Sequence, residues 1–222
     1  MHRLSAVLMF AALALALPLS VAASSNDISK VNGSVRVEAN QQAGDVSTVN
    51  GSVHIESGAT VHEASTVNGA VDLGAKATAT EITTVNGAVR LAAAARVNGD
   101  VTTVNGSVSL APGADVSGEL TNVNGTITLD NAHVRGGITT VNGDITIGAN
   151  SRVEGGILIE KSHSWFSWFR SNSRTPLIVI GPHAIVQGTL EFRRDVVLKV
   201  SDSAQIGPVK GAAVIKFSGA KP

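Results

Sequence analysis

The chain is predicted to be all-β: a single parallel β-solenoid, triangular in section, with about 18 residues per coil. Three observations predict this fold. First, a four-residue phrase ending in Val-Asn-Gly occurs seven times: Lys30-Val31-Asn32-Gly33, Thr48 to Gly51, Thr66 to Gly69, Thr84 to Gly87, Thr103 to Gly106, Asn122 to Gly125 and Thr140 to Gly143. Its valines step by 18, 18, 18, 19, 19 and 18 residues. Second, apolar residues recur at constant offsets from each copy. Third, glycine numbers 23 and charged residues make up only 15% of the 222, against roughly 25% in an ordinary globular domain. A unit this short cannot bury its own apolar face, so the copies must stack.

Taken in order, residues 1–23 read as an export signal. His2 and Arg3 make a basic start, an apolar run follows from Leu4 to Leu17, and Pro18 leads to the small-residue stretch Val21-Ala22-Ala23. Cleavage after Ala23 is expected. Residues 24–160 are the regular coils. Four residues after each phrase valine lies an apolar position (Val35, Val53, Val71, Val89, Val108, Ile127, Ile145), and two further on lies another (Val37, Ile55, Leu73, Leu91, Leu110, Leu129, Ile147). Side chains alternate along a strand, so both columns point inward. A third column holds Ala43, Val61, Ala79, Val97, Val116, Val134 and Val153, and a fourth holds Val46, Ala64, Ile82, Val101, Leu120, Ile138 and Ile157. With the phrase valine itself counted as apolar, about five inward side chains are thus spread over three short faces, and each strand pairs in parallel with its copy about 4.8 Å away.

Asn-Gly suits the corner because glycine accepts positive φ and asparagine tolerates it. Stacked corners place Asn32, Asn50, Asn68, Asn86, Asn105, Asn124 and Asn142 in one file, where their amides can form a structural ladder. Residues 161–176 interrupt the rhythm where a corner is due. Residues 177–222 resume it: Ile180-Gly181-Pro182-His183-Ala184-Ile185-Val186 and Leu190, then Leu198, Val200, Ile206 and Val209, fit further coils. This makes about nine coils and a rod of roughly 40 Å, with Val214 to Phe217 closing its end.

Thr-Val-Asn-Gly followed by Ser or Asp and then Val or Ile, as in Asn142-Gly143-Asp144-Ile145, resembles an adhesin-like family of exported bacterial proteins. The likeness covers roughly residues 30–160. It implies a parallel β-solenoid and carries no site residues. The 18-residue triangular coil also looks like the bactofilins, which polymerise end to end. Ile180 to Ile185 is similar to a left-handed hexapeptide repeat, but so few copies favour a right-handed coil.

Functionally, the balance of 17 bases and 17 acids gives no bulk attraction to nucleic acid. The absence of cysteine removes disulfides as a source of stability. The histidines His54, His62, His133, His163 and His183 lack metal-ligand spacing, and no catalytic residues or cofactor are assigned. The insertion Lys161 to Pro176 holds Trp165, Phe166, Trp168 and Phe169 beside Lys161, Arg170 and Arg174, with no acid. Aromatic and basic side chains together suit a membrane interface or stacking on a sugar or peptide; the alternative is a satellite core folded over the coil. A second feature is the acidic file Asp45, Glu63, Glu81, Asp100 and Glu119. It either splays into water, discouraging sideways aggregation, or is bridged by a cation such as calcium. The adjacent Ser/Thr pairs (Ser47-Thr48, Ser65-Thr66, Thr83-Thr84, Thr102-Thr103, Thr139-Thr140) present one outward hydroxyl file, fewer than an ice-binding array uses. The expected protein is an exported, non-enzymatic, structural or adhesin-like solenoid of the periplasm or cell envelope, or secreted, contacting a membrane surface, an envelope polysaccharide or a protein through the aromatic loop. The alternatives are a self-associating filament subunit and a carbohydrate-binding or carbohydrate-active β-helix.

Overall fold

A computed structural model of the chain describes residues 26–161 and 174–219. These form 26 strands and no helix, and every strand pairing is parallel. The path of one coil follows from its sequence. On the strand Val46–Asn50, Val46 and Thr48 are buried while Ser47 and Val49 turn outward. The chain bends at Asn50-Gly51 and runs along Val53–Ile55, again with its first and third residues buried. It bends once more and enters Thr60–Asn68, which carries both the third face and the next copy of the first.

Stacking repeats this path. On the first face Asn32, Asn50, Asn68, Asn86, Asn105, Asn124 and Asn142 lie in one register, each paired with the next. The third face aligns Val61, Ala79, Val97, Val116, Val134, Val153, Val186 and Ile206. The second face is a ten-stranded sheet running from Val35–Val37 to Val214–Phe217. The solenoid therefore has about ten turns, one more than the nine expected. Val214–Phe217 is a tenth rung, paired with Val197–Ser201, rather than a lid.

Six side chains per turn enter the core, illustrated by Val53, Ile55, Ala59, Val61, Ala64 and Thr66, all buried. The columns read from sequence account for four of them; the phrase valine, the fifth expected, turns outward, because strand alternation gives its inward place to the threonine before it. The unread columns are a small-residue file (Ala59, Ala77, Ala95, Ala114, Ala132, Ser151, Ala184) and a polar one (Thr48, Thr66, Thr84, Thr103, Asn122, Thr140). Each fully buried Val, Leu or Ile contributes roughly 1.5–3 kcal/mol of burial free energy. Because every coil shares that burial with its neighbours, the core is one continuous column.

The Asn-Gly corner needs glycine for a different reason from the one expected. Only Gly33 and Gly125 have positive φ there, +97° and +139°. At Gly51, Gly69, Gly87, Gly106 and Gly143 a Cβ would come within 1.7–2.3 Å of the carbonyl oxygen of the preceding corner glycine. Close backbone stacking, not handedness of φ, excludes a side chain. The left-handed residues occupy the corner between the second and third faces, one per coil: Asn40, Gly58, Lys76, Ala94, Gly113, Asn131, Asn150 and His183.

Candidate contact site

The insertion lies between the strands Ile157–Ile159 and Leu177–Ile180, at the corner joining first and second faces. Trp165, Phe166, Trp168, Phe169 and Arg170, the proposed contact residues at its centre, lie outside the described residues, as does the signal segment. Lys161 and Arg174 are described and exposed. What the structure supplies is the loop's base. Asp144 clamps its far side: the guanidinium of Arg174 donates to Oδ2 at 2.8 Å, and the backbone N–H of Leu177 donates to Oδ1 at 2.8 Å. On the near side, Arg193 Nη1 donates to both oxygens of Glu160, at 2.7 and 2.9 Å, and Nε donates to Glu191 at 2.7 Å. The hydrogen bond from Arg193, then its charge, holds the Glu191 carboxyl below its ordinary range. Arg193 and Arg194 were not singled out from sequence. Their signal is their phase: Arg193-Arg194-Asp195 follows the inward Phe192 where another coil would place its corner.

Arg194 acts on the asparagine file. Along that file each Nδ2 donates to Oδ1 of the preceding coil's asparagine at 3.0–3.1 Å, from Asn50 onto Asn32 through Asn142 onto Asn124. The insertion stops the ladder at Asn142. Arg194, one coil beyond the insertion, reaches back and donates to the Asn142 side-chain oxygen and to the Val141 carbonyl at 3.1 Å. The interruption is thereby sealed rather than frayed.

The other sequence candidates are placed as follows. Within the acidic file Glu63 and Glu81 are in register. Asp45 accepts from His62 Nδ1 at 2.7 Å, Asp100 accepts the Glu119 backbone N–H at 2.8 Å, and Glu119 accepts the Thr139 hydroxyl at 2.6 Å. Burial first, then the charges of Asp45 and Glu81, pushes the Glu63 carboxyl up. The hydrogen bond and charge of Asp45 raise His62. Among the described residues no group of three or more His, Asp or Glu side chains is placed to hold a metal ion. His54 is held by Asp72 at 3.1 Å. Of the Ser/Thr pairs, the second member turns inward; Thr48, Thr66, Thr84 and Thr103 donate to the carbonyls of Gly33, Gly51, Gly69 and Gly87 at 2.8–3.3 Å.

Comparison of the chain with protein-family models, with curated proteins and with solved structures finds no match in any of the three. The geometry itself carries what can be said of function.

Proposed function

We propose that this is a non-enzymatic, exported solenoid of the bacterial envelope that serves as a stiff spacer and presents the 161–176 loop as its contact point. The observation that carries the reading is the investment at the loop's base. Asp144 with Arg174, Glu160 with Arg193, and Asn142 with Arg194 pin both stems and reseal the stack across a single insertion. An accidental insertion has no need of three such fastenings, whereas a presented loop requires a rigid mount. The aromatic and basic composition of the loop supports a membrane or envelope surface as the partner, and the resemblance to adhesin-like exported proteins agrees with it. Fractionation of cells expressing the Trp165→Ala/Trp168→Ala variant tests it. Loss of envelope association with an unchanged circular dichroism melt is the expected outcome. Unchanged fractionation overturns the contact role, and loss of folding assigns the aromatics to a satellite core.

One observation favours a second reading, end-to-end self-association. The exposed large apolar residues among those described are Val31, Val214 and Ile215, which lie on the first and last rungs. Both ends offer strand edges that a further copy could extend in parallel. Negative-stain electron microscopy distinguishes the two: filaments support this reading, and single short rods support the first.

A further inference from the structure

The third face departs from its own repeat over four coils. Its outward file begins with Gln42, Thr60 and Thr78, and ends with Ile185 and Gln205. Between them stand Arg96, Asp115, His133 and Arg152, stacked in register. A solenoid does not need charge there, since the coils on either side build the same rung from threonine, isoleucine and glutamine. These residues border a hollow of about 660 Å³.

The hollow is wired internally. His133 places Nδ1 2.8 Å from Asp115 and Nε2 3.1 Å from Glu154. Arg135 reaches Asp115 at 3.3 Å, and Arg152 reaches Glu154 at 3.3 Å. This network fixes two guanidinium groups at the rim. Arg96 is different: it is exposed, and the carboxylate of its in-register neighbour Asp115 is already taken by His133 and Arg135. Among the described residues Arg96 forms no ion pair. The remaining polar lining is Asn98, Ser117, Asn131 and Asn150, neutral hydrogen-bonding side chains, with the small residues Gly113, Ala114 and Ala132 between them.

We propose that this hollow binds a polysaccharide bearing carboxylates, with Arg96 as its principal anion contact. With His133 counted neutral, the three arginines Arg96, Arg135 and Arg152 against Asp115 and Glu154 leave a single net positive charge. That suits a ligand whose carboxylates are spaced apart, and not a densely charged polyanion such as a nucleic acid. A guanidinium fork matches a carboxylate, and the asparagine and serine groups match sugar hydroxyls. Four rungs span roughly 14 Å, enough for more than one sugar ring. The site is on a different face from the insertion, and the inference stands whether or not the loop contacts the envelope.

The test is titration calorimetry of the purified chain with oligomers of polygalacturonate, alginate and hyaluronate at low salt, and with the methyl-esterified form of any that binds. Binding to at least one, weakened by salt and lost on esterification, is the expected result. Arg96→Ala weakens it by about tenfold or more and Arg96→Lys by less, both with an unchanged melting temperature because Arg96 holds nothing else in place. No binding to any of the three, equal binding of the esterified oligomer, or wild-type affinity in Arg96→Ala overturns the proposal. Fractionation of the Arg96→Ala variant separates this from the loop's role: the envelope reading predicts that it stays associated.

Discussion

Single side chains in this stack are judged by what the coil below offers them. The inward hydroxyl of Thr66 donates to the Gly51 carbonyl at 2.8 Å, so Thr66→Val strands a buried acceptor and is expected to cost about 1–2 kcal/mol. Thr140 sits in the same file, fully buried, but its hydroxyl has no hydrogen-bond partner among the described residues. Thr140→Val therefore exchanges an unsatisfied polar group for a methyl of the same shape, and is expected to be neutral or to add up to about 1 kcal/mol. Chemical denaturation of the two variants side by side checks the contrast. A third position is strained rather than unsatisfied. Ala94 holds φ at +58° where the coils before and after use Lys76 and Gly113. Ala94→Gly is expected to raise stability by about 0.5–1 kcal/mol, the relief of a left-handed Cβ exceeding the entropy that glycine loses, and the same denaturation series reads it.

Corners and strands impose a stricter tolerance. At Gly87 a Cβ would lie 1.7 Å from the Gly69 oxygen. Neither coil can yield without breaking its ladder, so Gly87→Ala is expected to cost about 2–4 kcal/mol, again measured by denaturant. Here the sequence was informative about place and wrong about cause. A glycine recurring at eighteen residues marks a corner, but nothing in one strand's sequence reveals the backbone that will lie against it. The corner between third and first faces gives a pH prediction. His62 is raised above 6.5 in the fold, so its contribution is complete below 6.5 and lost as pH rises through the raised value. Glu63 is raised above 4.5, so its contribution likewise is present below 4.5 and lost as pH rises. Both have the same sign. Glu63→Gln should thus melt higher than the wild type at pH 7, with the gap closing towards pH 4; a gap independent of pH would remove Glu63 as its source.

Over the whole molecule, the parallel register makes a coil an exchangeable part. Deleting residues 69–86 joins Asn68 to Gly87 and leaves every remaining asparagine with a neighbour in phase. The shortened protein is expected to fold with one rung fewer, its scattering length reduced by about 4.8 Å, whereas deleting nine residues should abolish the fold. The architecture was legible because the period survives in seven near-identical phrases. The tenth rung was not, since Leu177–Ile180, Val197–Ser201 and Val214–Phe217 have lost the Asn-Gly corner that marks phase. Arg194 was hidden for a related reason: its partner Asn142 is 52 residues away, across the insertion. The charged hollow was hidden because Arg96, Asp115, His133 and Arg152 are unremarkable singly and meet only once the register is known.

The asparagine ladder has one more consequence. Each amide donates toward the first coil and accepts from the next, so the seven side-chain dipoles point the same way and add. The file is electrically a miniature of a helix axis laid outside the backbone, positive at Asn32 and negative at Asn142. At the negative terminus stands the guanidinium of Arg194, where a cation is most favoured. The polarity of the rod is thus written in its side chains as well as in its strands, and a glutamate in place of Arg194 would oppose the whole column, where a glutamine would only leave it uncapped.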